Sequence, residues 1–367
     1  MTAIDPSPTI NDLRDTLAEW RRVRDPAQWG VSPTTQRLLR HWREVQADPT
    51  RQIRPSFCQL EAVEAAIWLA EVAPKAGKRG RRFLDQVRIG NVIALSADGA
   101  SLDTSKPDLF RTAFKLATGA GKTTVMAMLI AWQALNAART QGSKTFSQNF
   151  LLVAPGITIR DRLRVLQPND PNDYYRRLDL VPSDLRGDMN RACVAITNYH
   201  AFKRRDRFEA ASGTRRALEG YGDRLDTVES EGEMVQRVVG DMRDIIIIND
   251  EAHHCYRPRP MVDAEALTGE ARREAEDNVE AARLWLSGLE AVGRRNGVRC
   301  VYDLSATPFF LAGSNWPEGT LFPWVVTDFS LLDAIEYGIV KLPRVPISDN
   351  RPDGQKVIYR NLWEHIG

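Results

Sequence analysis

The chain has 367 residues, of which 43% are hydrophobic and 27% are charged, with a formal net charge of +2. This length allows about two domains. The near-neutral net charge excludes a polycation that attracts nucleic acid through the electrostatic field of the whole molecule, so any contact with nucleic acid would come from local basic patches. No run reaches the roughly 18 apolar residues that a membrane span requires, so we expect no membrane partner.

The cysteines and the N-terminus bear on where in the cell the chain is located. Cys58, Cys193, Cys255 and Cys300 are scattered and form no C-x-x-C pair, which argues against a zinc module and a disulfide framework. The N-terminus lacks the basic and then apolar pattern of a secretory signal. These features predict a cytoplasmic location.

Residues 1–53 are predicted to form an N-terminal helical segment. Apolar residues recur at helical spacing over residues 9–46, with breaks at Pro26 and Pro33. The arginines between them are typical of solvated helix faces, with a DNA-facing role as the alternative.

Residues 56–72 predict a further helix, with Ser56 as its N-cap and Pro74 just beyond its end. Gln59 lies in the first turn, where a side-chain amide can read a base edge through paired donor and acceptor groups. The basic and polar stretch 75–107 is predicted to be an exposed insertion.

Residues 114–132 combine an apolar strand, a turn with two glycines and a buried helix, which is the layout of a phosphate-binding loop. Lys122 would reach the β- and γ-phosphates of a nucleotide, and the Thr123 hydroxyl would help to hold Mg²⁺. Leu116 replaces the first glycine of the general pattern, and the alternative is a glycine-rich turn with an incidental lysine. The loop residues predicted to bind the nucleotide are Thr118, Gly119, Ala120, Gly121, Lys122, Thr123 and Thr124.

Short apolar strands then alternate with helices. The predicted strands cover residues 149–156, 193–197, 244–249 and 298–304. Helices are predicted from Ile157 and over 263–293, and the polar stretch 203–240 is predicted to be a helical surface insertion. The alternation predicts an α/β fold with a parallel sheet between helices. Ligands bind at the carboxyl ends of such strands, where every polar cluster of this sequence falls.

Asp250 and Glu251 follow the most apolar of these strands. Hydrolysis of a phosphoanhydride requires a phosphate cradle, a Mg²⁺ site and a group that positions water. We predict that Asp250 and Thr123 hold Mg²⁺, and that Glu251 orients and deprotonates the water. Together with Lys122 these two acids are the predicted catalytic residues. The alternative, a helix N-cap, becomes less favoured because of the upstream loop.

His253 is predicted to hydrogen-bond to the turn at Ser305 and Thr307 on the neighbouring strand, which would couple the hydrolytic centre to another part of the molecule. His253 and His254 have only the adjacent Cys255 as a further ligand, so zinc is not expected.

These motifs, in this order, resemble the first motor lobe of superfamily-two helicases and translocases. Residues 117–123 are similar to the A-T-G-x-G-K-T motif (the Walker A sequence), residues 250–253 to a D-E-A-H box, and residues 305–307 to the S-A-T motif. The resemblance implies a RecA-like P-loop NTPase domain over residues 54–340, with residues 341–367 as a crossover toward an absent second lobe.

Within the superfamily, residues 57–62, 154–163 and 328–336 resemble the restriction (ATPase) subunits of type III restriction enzymes. This implies an ATP-binding and ATP-hydrolysing lobe of a DNA helicase or translocase, an endonuclease subunit with ATP and Mg²⁺ as cofactors. A DNA methyltransferase subunit is then a candidate partner. The alternatives are a DNA or RNA helicase of repair or remodelling, and a nucleotide-sensing interaction module without turnover.

The resemblance also implies ligand contacts. Gln59 would contact the adenine, and a second group of residues would contact the phosphate backbone of one DNA strand, with Arg160 beside that contact. The residues that would contact the phosphate backbone are Pro155, Gly156, Thr158, Thr197 and Asn198, and Arg160 is their neighbour. Because no aromatic–basic interleaving or groove-reading helix is visible, we expect binding with little sequence readout.

The family's second lobe supplies arginine fingers from a Q-x-x-G-R-x-x-R-type motif. The 367 residues contain no such motif and no recognisable nuclease constellation. Loss of an arginine finger costs about 10³–10⁵ in rate. The chain is therefore expected to be a truncated motor that binds ATP and hydrolyses it weakly.

Overall fold

The computed structural model describes residues 5–95, 109–140, 142–205, 228–258, 269–317 and 319–341. Its centre is a sheet of six parallel strands in the order β3-β2-β4-β5-β1-β6. The strands are β1 (Arg111–Leu116), β2 (Asn149–Ala154), β3 (Cys193–Asn198), β4 (Ile245–Asp250), β5 (Val298–Ser305) and β6 (Val325–Phe329). The predicted α/β fold is confirmed.

Helices cover both faces of this sheet. They are α1 (Ser7–Arg21), α2 (Pro33–Ala47), α3 (Phe57–Ile67), α4 (Gly77–Leu95), α5 (Lys122–Arg139), α6 (Ile157–Arg162), α7 (Tyr174–Arg177), α8 (Arg186–Met189), α9 (Glu231–Val239), α10 (Gly269–Asn296) and α11 (Leu331–Glu336). In this described part of the chain, no helix has both the length and the apolar character needed to cross a membrane.

The isoleucines of β4 divide the core between the two faces. Ile246 and Ile248 join the apolar cluster that includes α1 to α5, whereas Ile245 and Ile247 join the cluster of α9 and α10. Successive side chains of a strand point to opposite faces, so a continuous apolar run fits a strand that is covered on both sides.

The N-terminal helices pack on the same core as α3 and α5. The Glu64 carboxylate of α3 is almost fully buried and accepts hydrogen bonds from Arg21 of α1 and Arg43 of α2. The Arg43 guanidinium also lies over the Trp29 ring, 4.6 Å from its centroid. A buried carboxylate is stable only when it is paired, and here both partners come from the N-terminal segment.

The prediction of an exposed insertion over residues 75–107 is wrong for its described part. Residues 77–95 form α4, with Phe83, Val87 and Ala94 buried. These apolar positions have helical spacing, but the lysines, arginines and glycines between them obscure it. Gly90 allows a close approach, since a Cβ there would lie 2.5 Å from the Pro323 carbonyl oxygen. Residues 96–108 lie outside the described residues.

Two further stretches differ from the prediction. Helix α9 is a helix inside the predicted helical surface insertion, but one face of it, with Met234, Val235 and Val239, is buried in the apolar cluster that it shares with α10. The opposite face, with Glu231, Glu233 and Gln236, is exposed. Strand β6 was not predicted, although its β-branched residues favour a strand. Residues 206–227 and 342–367, the latter nearly all of the predicted crossover, lie outside the described residues.

A fully buried ion pair joins the middle strands. Arg111 of β1 donates to Asp303 of β5 at 2.8 Å, and the exposure of both side chains is 0%. Asp303 also accepts hydrogen bonds from Asn249 of β4 at 2.7 Å and from the Trp324 indole at 2.8 Å. Arg111 donates in addition to the Cys255 carbonyl at 2.7 Å. The pair therefore links β1, β4, β5 and the segment after β4.

Replacing one partner of this pair is expected to leave an uncompensated buried charge. We expect Arg111→Met to lower the free energy of unfolding by about 3–5 kcal/mol, measured by denaturant unfolding. Arg82→Met is the matched control, because the Arg82–Asp12 pair has the same 2.8 Å distance on the surface and is expected to contribute at most about 1 kcal/mol. Equal losses in the two variants would contradict the structural role of the buried pair.

Candidate nucleotide-binding site

The turn after β1 has the backbone of a phosphate loop. Gly119 and Gly121 adopt left-handed conformations with φ of 84° and 88°, which an L-residue rarely adopts. The Ala120 N–H donates to the Ala117 carbonyl at 3.0 Å, and α5 begins at Lys122. The loop therefore ends at the N-terminus of an 18-residue helix, whose dipole favours an anion.

Gln59 supports this loop directly. Its Oε1 accepts a hydrogen bond from the Ser56 N–H at 3.0 Å, and its Nε2 donates to the Ala120 carbonyl at 2.8 Å. A Cβ at Gly121 would lie 2.1 Å from that Nε2, so only glycine allows this approach. The predicted cap at Ser56 is present through this reciprocal bond. The predicted contact of Gln59 with adenine stays a prediction.

The loop lysine pairs with the acid after β4. Lys122 Nζ lies 2.9 Å from Glu251 Oε1, with 12% and 29% of the two side chains exposed. Glu251 has a left-handed backbone with φ of 49°, and its side chain makes no capping hydrogen bond to the short helical turn that follows. The capping alternative therefore lacks its hydrogen bond, and the strained backbone instead directs the carboxylate to Lys122.

Asp250 fits the role of a metal ligand chemically. Burial first, and then the neighbouring Glu251 charge, raises the pKa of Asp250 to about 6, against the opposing effect of Lys122. A divalent cation would relieve this desolvated carboxylate. Within the described ranges, no three acidic, His or Cys side chains converge as a metal site. Mg²⁺ does not require them, since it takes one or two carboxylates together with water and substrate phosphates.

The predicted hydrogen bond from His253 to the turn after β5 is present. His253 Nδ1 lies 2.9 Å from Ser305 Oγ, which in turn accepts the Thr307 N–H at 3.0 Å. Burial, and then the adjacent His254, lowers the pKa of His253 to about 4. The imidazole is therefore neutral near pH 7, and its contact is a hydrogen bond rather than an ion pair.

The predicted nucleic-acid contacts come together at two neighbouring strand ends. Strands β2 and β3 pair in register, with Val153 opposite Thr197 and Ala154 opposite Asn198, and Pro155 and Gly156 follow directly after β2. Thr158 and Arg160 are exposed on α6, immediately after this edge. The sheet thus places all six predicted residues at its carboxyl edge, on the far side of β4 from the phosphate loop. Their role in binding stays a prediction.

One structural partner of the loop was missed in the sequence. The Ala117 N–H donates to the Phe329 carbonyl of β6 at 2.9 Å, so the start of the loop is held by a strand more than 200 residues later. The available signal was the apolar and β-branched run 324–327.

The model of the type III restriction enzyme res subunit family matches residues 53–292, well over half of the chain. The chain belongs to this family. This res-family chain therefore carries a helicase-like ATPase motor domain of superfamily two. Members of such families use nucleotide with Mg²⁺ and interact with DNA. A search of curated proteins finds no match.

The close contact at Gly121 yields a test of the loop. Gly121→Ala is expected to displace Gln59 and abolish ATP binding, measured by calorimetry. Gly142→Ala is the matched control, since Gly142 has a φ of 73° but nothing within 4 Å of its added Cβ. Both variants are expected to lose about 1–2 kcal/mol through left-handed strain, and only the first to lose ATP. Normal ATP affinity in Gly121→Ala would contradict the site.

Proposed function

We propose that this chain is the ATP-hydrolysing motor lobe of a DNA translocase in a type III restriction-like system. The observation that carries the proposal is the 2.9 Å pair between Lys122 on the phosphate loop and Glu251 after β4. It brings the phosphate-binding cation, which follows β1, and the candidate general base, which follows β4, together across the carboxyl end of β5. The family match supports the coarser part of this proposal, an ATPase motor domain.

In this proposal the loop from Thr118 to Thr124 holds the phosphates of ATP through its backbone N–H groups and the N-terminus of α5. Thr123 and Asp250 hold Mg²⁺. When bound, Mg²⁺ neutralises charge on the phosphate oxygens. Lys122 then exchanges Glu251 for the β- and γ-phosphates, because phosphate oxygens offer it more negative charge than one carboxylate.

The exchange frees Glu251 for its own task. Its carboxylate, no longer paired with Lys122, orients the attacking water and accepts a proton from it. The resting pair thus keeps the base neutralised until a nucleotide takes its partner. The hydrolytic group becomes available only when substrate is present.

Two further groups would connect hydrolysis to the track. Hydrogen bonds through His253 link the segment of Glu251 to the turn at Ser305 and Thr307. A displacement of one segment would therefore move the other. The strand ends of β2 and β3 would hold the phosphate backbone of one DNA strand. We further propose residues 54–340 as the motor lobe, residues 1–53 as its helical lead and residues 341–367 as the crossover. A DNA methyltransferase subunit is the partner that a restriction role would require.

The first test separates binding from turnover. Lys122→Ala is expected to abolish ATP binding, whereas Glu251→Gln is expected to keep binding and lower turnover by about 10²–10⁴. ATP hydrolysis by the purified chain is measured with and without duplex DNA. Wild-type turnover in Glu251→Gln would contradict the assigned base. DNA-stimulated turnover above about one per second would contradict the expectation of weak hydrolysis, and binding without any turnover would favour the nucleotide-sensing alternative.

The second test addresses the track. Arg160→Gln is expected to weaken binding uniformly across DNA sequences and to reduce the salt slope of the binding constant by about one. Arg272→Gln is the control, because Arg272 on α10 is an exposed helical arginine paired with Glu276 at 2.9 Å, much as Arg160 is paired with Asp161 at 3.3 Å. An unchanged slope in Arg160→Gln would remove α6 from the interface. Stronger binding to RNA than to DNA of the same sequence would favour the general helicase alternative.

A further inference from the structure

Three aromatic rings contact one another in series at the carboxyl end of β3, where the short helical turn Tyr199–Phe202 follows the strand directly. The centroid of the Tyr199 ring lies 5.4 Å from that of Trp285 on α10, with an interplanar angle of 6°. On its own chain neighbour, the His200 ring, the centroid distance is 4.0 Å and the angle is 32°. Trp285 is fully buried, Tyr199 is half-buried and His200 is exposed. The ring stack therefore runs from the core to the surface and ends in an exposed ring.

Contacts with the core fix this ring stack in place. The Trp285 indole N–H donates to Asn249 Oδ1 of β4 at 3.1 Å. At the other end of the turn, Phe202 packs so closely on α10 that a Cβ at Gly288 would lie 2.1 Å from its ring. Aromatic rings that are already held in position lose little conformational entropy when a planar ligand stacks on them. The exposed ring is therefore preorganised as a stacking surface.

The ends of β2 and β3 lie between this ring stack and helix α6. Ile159 of α6 packs on the apolar cluster that includes α1 to α5, whereas Tyr199 packs on the cluster of α9 and α10. These two clusters cover opposite faces of the sheet. Thr197 and Asn198, two of the predicted phosphate contacts, end the strand between them. A strand of nucleic acid that crosses this edge would therefore have α6 on one side and the ring stack on the other.

The two sides of this edge differ in charge. Arg160 and Arg162 of α6 are exposed on the first side. On the second side, burial and then the charges of Glu280 and Asp277 on α10 raise the pKa of Tyr199, so that both acids lie within electrostatic reach of the phenol. Phosphates are attracted to the basic side and repelled from the acidic side, whereas an uncharged base is not repelled. A strand at this edge would therefore direct its phosphates toward α6 and its bases toward the ring stack.

We propose that the exposed ring of His200, supported by Tyr199 and Trp285, stacks on a base of a single DNA strand whose phosphates lie toward α6. The inference rests on the proposed function, because the phosphate contacts at the ends of β2 and β3 bring the strand to this place. The bases of a duplex are already stacked on one another, so the strand is unpaired where it meets His200. Stacking on an aromatic ring tolerates every base and adds affinity without sequence readout.

The test compares an oligothymidylate of about 12 nucleotides with an abasic oligomer of the same length, which has the same phosphates and no bases. The wild-type chain is expected to bind the oligothymidylate about tenfold more tightly, the contribution of about one stacked base. His200→Ala is expected to reduce this ratio to about two or less, whereas His200→Phe keeps the ring and the ratio. Loss of the ratio in His200→Phe would assign the contact to the imidazole nitrogens and overturn the inference.

Tyr337→Ala is the matched control. Tyr337 is also exposed, with its ring 4.5 Å from that of Phe57, but it follows α11, beyond the opposite edge strand β6. This variant is expected to keep the wild-type ratio. An equal fall of the ratio in Tyr337→Ala and His200→Ala would show that the base does not lie at the end of β3 and would overturn the inference.

Salt dependence, duplex binding and stability separate stacking from other roles of His200. His200→Ala is expected to leave the salt slope of oligothymidylate binding unchanged, because it removes no phosphate contact, and to leave duplex affinity unchanged. A reduced slope, as expected for Arg160→Gln, would make His200 a phosphate contact and overturn the inference. Because His200 is exposed, His200→Ala is expected to unfold at the wild-type temperature. A fall of the ratio together with a lower unfolding temperature would assign the ring to the fold and would also overturn it.

The abasic oligomer also separates this inference from the proposed function. Abasic binding that depends on Arg160 and is weaker than that of oligothymidylate supports both. An abasic oligomer that the wild-type chain binds as tightly as oligothymidylate would leave the phosphate contacts intact and overturn the stacking of a base. Failure to bind any DNA, single-stranded or duplex, would overturn the track in the proposed function and, with it, the inference.

Discussion

The buried ion pair between Arg111 and Asp303 is the constraint on which the sheet depends. Charges away from water are stable only when they are paired and hydrogen-bonded. Asn249, Trp324 and the Cys255 carbonyl supply further hydrogen bonds here, while Arg111 Nη1 has no partner among the described residues. Asn249 lies on β4, Cys255 follows that strand, and Trp324 directly precedes β6. Because the strand ends carry the phosphate loop and the acids, the same network fixes the relative positions of the groups that meet at the site.

At the carboxyl edge of the sheet, by contrast, the charges are only partly compensated. Asp250 is desolvated enough to hold its proton near pH 6, Glu251 has a strained backbone, and Lys122 neutralises one acid but not both. The buried pair is largely compensated, whereas the edge lacks positive charge near its acids and carries the N-terminus of α5, which favours an anion. A bound metal ion would supply the positive charge, and the phosphates of a nucleotide would supply the anion.

Much of the fold could be predicted from sequence, because five of the six strands and the motif turns have strong local patterns, as in the run Ile245–Ile248. Helix α4 was missed because basic residues and glycines dilute its apolar stripe, and β6 because its one short run has no motif of its own. The residue types of the site could be predicted from spacing, but their contacts could not. The hydrogen bond from Gln59 to the Ala120 carbonyl and the one from Arg14 to the Asp328 carbonyl join segments that are 61 and 314 residues apart.

The family match and the folding unit have different limits. A fragment cut at residues 53 and 292 would lose β5 and β6, the two strands that pair with β1. Strand β1 would then have no partner in the sheet and β4 would become an unpaired edge, and unpaired edges favour aggregation. The cut would also remove Arg21 and Arg43 from the buried Glu64. A fragment produced with the boundaries of the family match is therefore expected to be insoluble, even though the motor domain of the full chain folds. The useful limits for a crystallisable piece are set by α1 at one end and α11 at the other.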